Sequence, residues 1–222
     1  MCCSDAPPPM TLEEIRELGS RDDACARKVL AEAAACGDQF VRRMAVEIIG
    51  RHSQGPMLRG VILKVLSDQS SYVVRAACEV VARWQLIEAH QRVVALLADA
   101  SAETLKAAIR ALDAIWLDAD FLPVFRIYTS APEIAVRREA AWVLRRRAAS
   151  ANWRLLFEAC RNDGLPRHRQ WACELAVTFS DPDVVPLLLP LASDADGHVR
   201  KAALQAIRTP SAANDGLMEG ES

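Results

Sequence analysis

Apolar residues in this chain recur every three or four positions within short segments, and the segments themselves recur. Because an α-helix turns once in 3.6 residues, apolar positions at this spacing share one helix face. Six segments open alike, and their first residues lie 31 to 33 positions apart, which indicates an internal repeat. The six segments are FVRRMAVEIIG (40–50), VVRAACEVVAR (73–83), TLKAAIRALDA (104–114), AVRREAAWVLR (135–145), RHRQWACELAV (167–177) and HVRKAALQAIR (198–208).

Another apolar segment precedes each of these six, and its pattern is also that of a helix. These first helices are predicted at 24–36, 56–67, 87–98, 120–130, 152–162 and 183–193. Turns rich in Ser, Asp, Asn, Gly and Pro separate the helices, as in NDGLP at 162–166. Pro186 and Pro190 are expected to kink or shorten the last of the first helices. The pattern predicts six helix pairs, preceded by a short helix at 11–18.

A single pair of short helices cannot bury both of its apolar faces. Stacking the pairs in a line produces one continuous core, which is the architecture of a solenoid. The sequence therefore predicts an all-α fold, a right-handed α-solenoid of about six helix pairs that forms one domain over residues 11–208. Residues 1–10 and 209–222 lack the pattern and are predicted to be flexible tails.

The composition agrees with helices, because 51% of the residues are hydrophobic but only 5% are aromatic. There is no run of 18 or more apolar residues, so no membrane span is expected. The opening sequence MCCSDAPPPM lacks the basic and apolar regions of a secretory signal. Five of the seven cysteines lie in apolar helical patterns, which favours reduced thiols and a cytoplasmic location.

One stretch resembles the HEAT-repeat family over a full repeat, namely VVPLLLPLASDADGHVRKAALQAIR at 184–208. It has a proline-bearing first helix, an acidic turn, and Val-Arg-x-x-Ala at the start of the second helix. The resemblance extends over roughly 24–208, with departures such as His168-Arg169 in place of Val-Arg and Lys106 in place of Arg. It implies that the second helices line a concave face. It also implies a ladder along the inter-repeat turns, formed by Asp38, Arg42, Asp68, Arg75, Asp194 and Arg200.

Positive charge is concentrated in one part of the chain. The net charge is −2, yet residues 126–169 contain ten arginines and four acidic residues. Successive helical positions point about 100° apart, so Arg145, Arg146 and Arg147 cannot all face one way, and some are expected to cap the C-terminal end of their helix. Trp142 and Trp171 are expected to be partly exposed beside the arginines. The predicted partner-binding residues are Arg137, Arg138, Trp142, Arg145, Arg146, Arg167, Arg169 and Trp171.

The sequence offers no convincing catalytic or metal site. None of the four histidines has a Cys or His at the i+3 or i+4 position, so metal binding is not predicted. His168 and Cys173 point about 140° apart on a helix, and Cys173 is expected to belong to the core. No catalytic residue and no cofactor is therefore predicted.

The favoured interpretation is a non-enzymatic protein-interaction scaffold or regulatory adaptor. It would bind an acidic segment of a partner protein on the concave face. One alternative is a nucleic-acid binder, since residues 138–166 locally resemble the late helices of HEAT-like alkylpurine DNA glycosylases. In that comparison Trp142 would face the lesion, but only Glu79 is available as the acid and Lys106 would replace the arginine. A second alternative is a helper subunit like those of bilin lyases, which rests on analogy of fold.

Overall fold

The computed structural model describes residues 11–99, 101–179, 183 and 185–208, and every regular element in these residues is a helix. The predicted tails, 1–10 and 209–222, lie outside the described residues. Short 3₁₀ helices occur at Gly55–Leu58, Ile87–Ala89 and Asp118–Asp120. The α-helices are α1 Leu12–Leu18, α2 Ala24–Ala33, α3 Gln39–Arg51, α4 Arg59–Val65, α5 Ser71–Trp84, α6 His90–Asp99, α7 Ala102–Ala114, α8 Phe121–Ser130, α9 Ile134–Arg147, α10 Trp153–Arg161, α11 Pro166–Phe179, α12 Val185–Ala192 and α13 Gly197–Arg208.

The helices form six consecutive pairs, from α2 with α3 to α12 with α13, and α1 precedes them. The second helices pack in a row, so that α3, α5, α7, α9, α11 and α13 are successive neighbours. The chain is a right-handed α-solenoid, and the fold predicted from the sequence is confirmed.

Local signals in the sequence explain where several helices start. The side chain of Thr11 accepts a hydrogen bond from the amide of Glu14 at the start of α1, and Asp23 caps α2 in the same way. Pro186 lies in the first turn of α12, where a proline costs little because the amide there has no intrahelical partner. Pro190 lies inside α12, which is shorter than the predicted segment 183–193.

Two rungs of the expected Asp–Arg ladder are present. Arg42 donates from Nε and Nη2 to the carboxylate of Asp68 at 2.7 and 2.8 Å, and from Nη1 to the carbonyl of Cys36. Arg169 binds the carboxylate of Asp194 at 2.7 and 2.9 Å and the carbonyl of Asp163 at 2.9 Å. Each arginine therefore ties the turn of its own repeat to the turn of the next one, as the planar guanidinium allows.

The junction between α9 and α11 differs from the other junctions in the row. These two helices approach each other over a much shorter stretch than the other neighbouring second helices. Trp171 of α11 has the largest side chain at its position in the repeat, where the other second helices have Met44, Ala77, Ala108, Glu139 and Ala202. A cleft lies between α9 and α11, and Trp171 is part of its wall.

Candidate binding cleft

The cleft between α9 and α11 has a volume of about 480 Å³. One wall is a single face of α9, because its lining residues are spaced three and four positions apart. The other wall is the first part of α11. The lining residues are Ala135, Arg138, Glu139, Trp142, Arg167, His168 and Trp171.

A buried hydrogen-bonded cluster supports the α11 wall. Nδ1 of His168 lies 2.9 Å from Oδ2 of Asp163, and the hydroxyl of Tyr128 donates to the same oxygen at 2.9 Å. The amide of Leu165 donates to Oδ1 at 2.8 Å. Burial opposes ionisation of Asp163, but these hydrogen bonds outweigh it and hold the pKa of Asp163 below its usual value. Asp163 is therefore an anion that fixes His168 and Tyr128.

This cluster replaces one rung of the ladder. By its place in the repeat, Arg137 corresponds to Arg42 and Arg169, and Asp163 corresponds to their carboxylate partners. Because Asp163 is engaged by His168 and Tyr128, Arg137 makes no ion pair with the described residues, and its Nε is buried without a partner. Arg137 does not line the cleft.

Two ring nitrogens in the cleft wall have no hydrogen-bond partner. They are Nε2 of His168, whose residue is 0% exposed, and Nε1 of Trp171, whose residue is 6% exposed. The two rings stack with centroids 5.0 Å apart and planes inclined by 17°. An unsatisfied buried polar atom costs about 1–3 kcal/mol, so the unliganded cleft carries an unfavourable contribution from both.

The expected exposure of the two tryptophans is confirmed for one and wrong for the other. Trp142 is 42% exposed, whereas Trp171 is buried. Trp171 lies at the position of the buried Ala77 and Ala108 and stacks on His168, and this packing removes it from solvent. The sequence shows that Trp171 lies close to arginines but does not show which way the ring points.

Two guanidinium groups line the cleft without a carboxylate partner among the described residues. Arg138 is exposed and makes no ion pair, and Arg167 donates to the amide oxygen of Gln170 at 2.9 Å. The one carboxylate in the cleft wall, Glu139, is bound by Arg110 at 2.6 Å, and this contact raises the pKa of Arg110. The cleft is therefore positively charged.

The other predicted arginines are engaged elsewhere. Arg145 pairs with Glu174 at 2.7 Å, with its guanidinium 5.5 Å from the ring centre of Trp171. Arg146 pairs with Asp113 at 2.9 Å and lies 4.4 Å from the ring centre of Trp142. Both arginines hold a tryptophan in place by cation–π contact. Arg169 belongs to the ladder and does not line the cleft.

Arg147 caps a helix end, but not the C-terminal end of its own helix that the sequence predicted. It donates to the carboxylate of Asp113 at 2.8 Å and also to the main-chain carbonyl of Asp113, next to the last residue of α7. The capped helix is the preceding second helix rather than α9 itself.

The structure does not activate the buried thiols. Burial raises the pKa of Cys78 and Cys160 to about 12 and that of Cys173 to about 11, so these cysteines remain protonated at neutral pH. Within the described part of the chain, no cluster of three or more His, Cys, Asp or Glu side chains could hold a metal ion. No helix among the described residues is long and apolar enough to cross a membrane.

The repeated two-helix architecture has a counterpart among known families. Residues 26–113 and 153–212 match the family described as HEAT repeats. The chain belongs to the HEAT-repeat family. The part of this HEAT-repeat protein that the match omits, 114–152, includes α8 and α9, and thus Tyr128 and one wall of the cleft.

Solved structures of similar shape are other repeat proteins or related assemblies. An engineered protein from the Northeast Structural Genomics Consortium has a TM-score of 0.51 at 20% identity, over 89% of this chain and 96% of that one. The complex of CpcE and CpcF of phycocyanin lyase from Nostoc sp. PCC7120 has a TM-score of 0.48 at 15% identity, with coverage of 93% and 97%. A designed armadillo repeat protein in complex with the peptide (KR)4 has 0.46 at 21% identity, with coverage of 88% and 91%. A comparison with curated proteins finds no match.

Reasoning from the sequence did not predict a role in the site for His168, which lines the cleft, or for Asp163 and Tyr128, which support it. The available signal was the departure of His168 from the repeat. The equivalent residues in the other five copies are Val41, Val74, Leu105, Val136 and Val199. A histidine at a position that packs into the core needs a polar partner, and an acidic residue five positions earlier could supply it.

Proposed function

We propose that this HEAT-repeat protein is a non-enzymatic protein-interaction module, and that its cleft between α9 and α11 binds an acidic segment of a partner. The observation that supports the proposal is the pair of guanidinium groups, Arg138 and Arg167, that line the cleft without a carboxylate partner among the described residues. A cytoplasmic setting, in which the thiols stay reduced, is part of the proposal.

The electrostatics favour an acidic partner. Ten arginines and four acidic residues lie between positions 126 and 169, although the whole chain has a net charge of −2. A local field of this kind steers an oppositely charged segment towards the cleft over roughly 8–10 Å at moderate salt concentration. The half-exposed ring of Trp142 would add apolar contact area in the cleft wall that it shares with the two arginines.

The proposal divides the predicted site residues by their surroundings. Arg138, Trp142, Arg167 and Trp171 would contact the partner, because they line the cleft. Arg145 and Arg146 would position the two tryptophans through the stacking described above. Arg137 and Arg169 lie outside the cleft and are not part of the proposed contact surface.

Binding of a fluorescent octaglutamate peptide, followed by anisotropy, tests the proposal. The double variant Arg138→Glu/Arg167→Glu should weaken binding by about tenfold or more. The matched control is Arg59→Glu/Arg92→Glu, which changes the net charge equally at exposed positions of α4 and α6. The control should bind within about twofold of the natural chain, since those charges lie outside the cleft. If both double variants weaken peptide binding equally, the effect comes from the net charge of the chain and not from contacts in the cleft.

The same titration with a labelled DNA duplex addresses the nucleic-acid alternative. Contacts to phosphates make affinity fall steeply with salt concentration. Binding to the duplex that is tighter than to the peptide, and that is lost in Arg138→Glu/Arg167→Glu, would replace the acidic-segment proposal. The acidic residues on both sides of the arginine-rich stretch favour the peptide.

A further inference from the structure

The wall of the cleft contains two polar atoms that nothing in the fold uses. Nε2 of His168 and Nε1 of Trp171 are buried and lack a hydrogen-bond partner, although both residues line the cleft. Buried polar atoms in folded proteins are nearly always paired. Two such atoms on stacked rings, beside guanidinium groups that have no carboxylate partner, indicate that a ligand supplies the missing hydrogen-bond partners.

The chemistry of His168 limits what that ligand can be. Its Nδ1 lies 2.9 Å from the carboxylate of Asp163, which is an anion, so Nδ1 carries a proton. A neutral His168 therefore presents a lone pair at Nε2, and Nε2 donates a hydrogen bond only when the ring is protonated. Nε1 of Trp171 is a donor in every state.

The charged and titratable groups around His168 favour the protonated ring once an anion is bound. Tyr128 from α8 and Cys160 from α10 are neutral, because burial raises the pKa of each. Asp163 provides a negative charge, and Arg110 compensates the charge of Glu139 from α9. Arg138 and Arg167 are the remaining charges in the cleft wall, and an anion seated against Nε2 favours the protonated ring by direct charge attraction.

We propose that the cleft binds one side-chain carboxylate of the partner segment, and that His168 takes up a proton from solvent as that carboxylate is seated. The two carboxylate oxygens then accept hydrogen bonds from Nε2 of His168 and Nε1 of Trp171. No other bond forms or breaks. This inference rests on the proposed function, because it names the chemistry by which the acidic segment is held.

Seating the carboxylate requires a change of side-chain rotamers, since both nitrogens are shielded from water in the unliganded chain. Arg138 is free to move, because it is exposed and makes no ion pair with the described residues. Once displaced, its guanidinium lies beside the incoming carboxylate and contributes to its binding.

Isothermal titration calorimetry with an octaglutamate peptide capped at both ends tests the inference, because such a peptide offers only side-chain carboxylates. Measurement in buffers of different ionisation enthalpy gives the number of protons taken up on binding. The natural chain should take up a fraction of a proton, at most one. Its affinity should rise between about pH 8 and pH 6, by no more than about tenfold per pH unit.

Two variants of His168 separate the proton from the hydrogen bond. His168→Gln retains an N–H donor that does not titrate, so it should bind with no proton uptake and with an affinity independent of pH. His168→Val carries the residue of the other repeats and should bind more weakly at every pH. Trp171→Phe keeps an aromatic ring but loses the donor, so it should bind more weakly while the proton uptake is retained.

The outcomes distinguish this inference from the proposed function. If the natural chain binds the peptide without proton uptake, the inference is wrong and the proposed function stands. If His168→Gln takes up the same number of protons as the natural chain, another group is protonated and the inference is also wrong. If the natural chain does not bind the peptide at any pH, the proposed function fails as well. The calorimetry of the natural chain decides the matter even where a variant does not fold.

Discussion

Val41, Val74, Leu105, Val136 and Val199 occupy the position that His168 holds in the fifth helix pair. An apolar side chain at this position needs only to be buried, whereas an imidazole must also find a hydrogen-bond partner. His168 finds Asp163, and this carboxylate is then lost to the ladder. At the scale of single residues, one replacement therefore removes a structural ion pair and leaves Arg137 without a carboxylate.

The charge of Asp163 should be measurable through the pH dependence of stability. At neutral pH, Asp163→Asn should reduce the free energy of unfolding by about 1–3 kcal/mol, because His168 and Tyr128 lose an ionised acceptor. The pKa of Asp163 is lowered in the folded chain. Its contribution is therefore complete above the unfolded pKa of about 3.9, and it is lost as the pH falls through the lower folded value.

Urea unfolding at about pH 7, 5 and 3 checks this prediction. The natural chain should lose more stability between about pH 5 and pH 3 than Asp163→Asn does, because only the natural chain can protonate this group. Asp118→Asn, at an exposed aspartate, should follow the natural chain over the whole range. An identical loss in Asp163→Asn and in the natural chain would contradict the assignment.

The ladder gives a second prediction at the residue scale. Arg42→Lys should lower the free energy of unfolding by about 1–3 kcal/mol, since an ammonium group cannot reproduce the two parallel hydrogen bonds to Asp68. Arg43→Lys is the matched control, because Arg43 forms a more exposed pair with Glu47 within the same helix. It should change stability by less than about 0.5 kcal/mol. If urea unfolding shows equal effects of the two substitutions, the Arg42–Asp68 pair does not stabilise the chain more than the exposed pair does.

At the scale of helices, the distance between neighbours is set by the size of a few side chains. The backbone of Gly50 in α3 lies directly against Val80 of α5, so that a Cβ placed on Gly50 would overlap a methyl group of Val80. Between α9 and α11 the contact is much shorter, and the cleft lined by Trp171 lies there. One row of helices thus contains both a junction of close backbone packing and a junction with a cleft.

Gly50→Ala should therefore act against the usual trend for helices. Alanine in place of an exposed helical glycine stabilises by about 0.4–1 kcal/mol, and Gly60→Ala in α4, which has free space around it, should show this gain. Gly50→Ala should instead destabilise by about 1–3 kcal/mol, because Val80 is short, stiff and buried. Thermal unfolding of both variants checks this. Val80→Ala in the Gly50→Ala background should recover part of the loss, and a gain in stability from Gly50→Ala alone would refute the close approach.

The helices were predictable because their signal is local. Apolar spacing, capping residues and turn residues lie within one or two helical turns of each other, so the predicted second helix at 135–145 corresponds to α9, Ile134–Arg147. The short helix expected at 11–18 is α1, and its start depends on the contact between Thr11 and Glu14.

The cleft was predictable only in part, because its chemistry depends on residues far apart in sequence. The arginine-rich stretch includes α9 and the start of α11, and Arg138 and Trp142 line the cleft between these helices. The partner of Arg146 is Asp113, in the preceding repeat, and Tyr128 reaches Asp163 across 35 residues. Such pairings depend on how one repeat is rotated against the next, which the pattern within a single repeat does not specify.

At the scale of the whole molecule, stability in a solenoid is the sum of terms from each repeat and each junction. The junction of α9 with α11 has a much shorter contact than the other junctions in the row, so it divides the chain into α1–α9 and α10–α13. Amide hydrogen exchange should show the helices α10–α13 opening as one group, at a free energy on the order of 2 kcal/mol below that of α5 and α7.

The helices at the other end of the chain provide the comparison for this experiment. Helices α1–α3 are also terminal, but they join their neighbours through the complete rung of Arg42 and Asp68. They should fray gradually from Leu12 and not open as a block. Uniform protection across α9, α10 and α11, with no step at the junction, would contradict the division into two parts.

A junction with so short a contact also matters when the two ends of the chain are pulled apart. Repeats stacked in a row separate first, under tension, at the junction with the weakest contact, and here that junction contains the cleft proposed to bind an acidic segment. A segment bound in the cleft would contact both α9 and α11. Binding would therefore increase the force needed to separate the two helices. Conversely, a pulling force on the two ends of the chain would weaken binding of the segment at this junction.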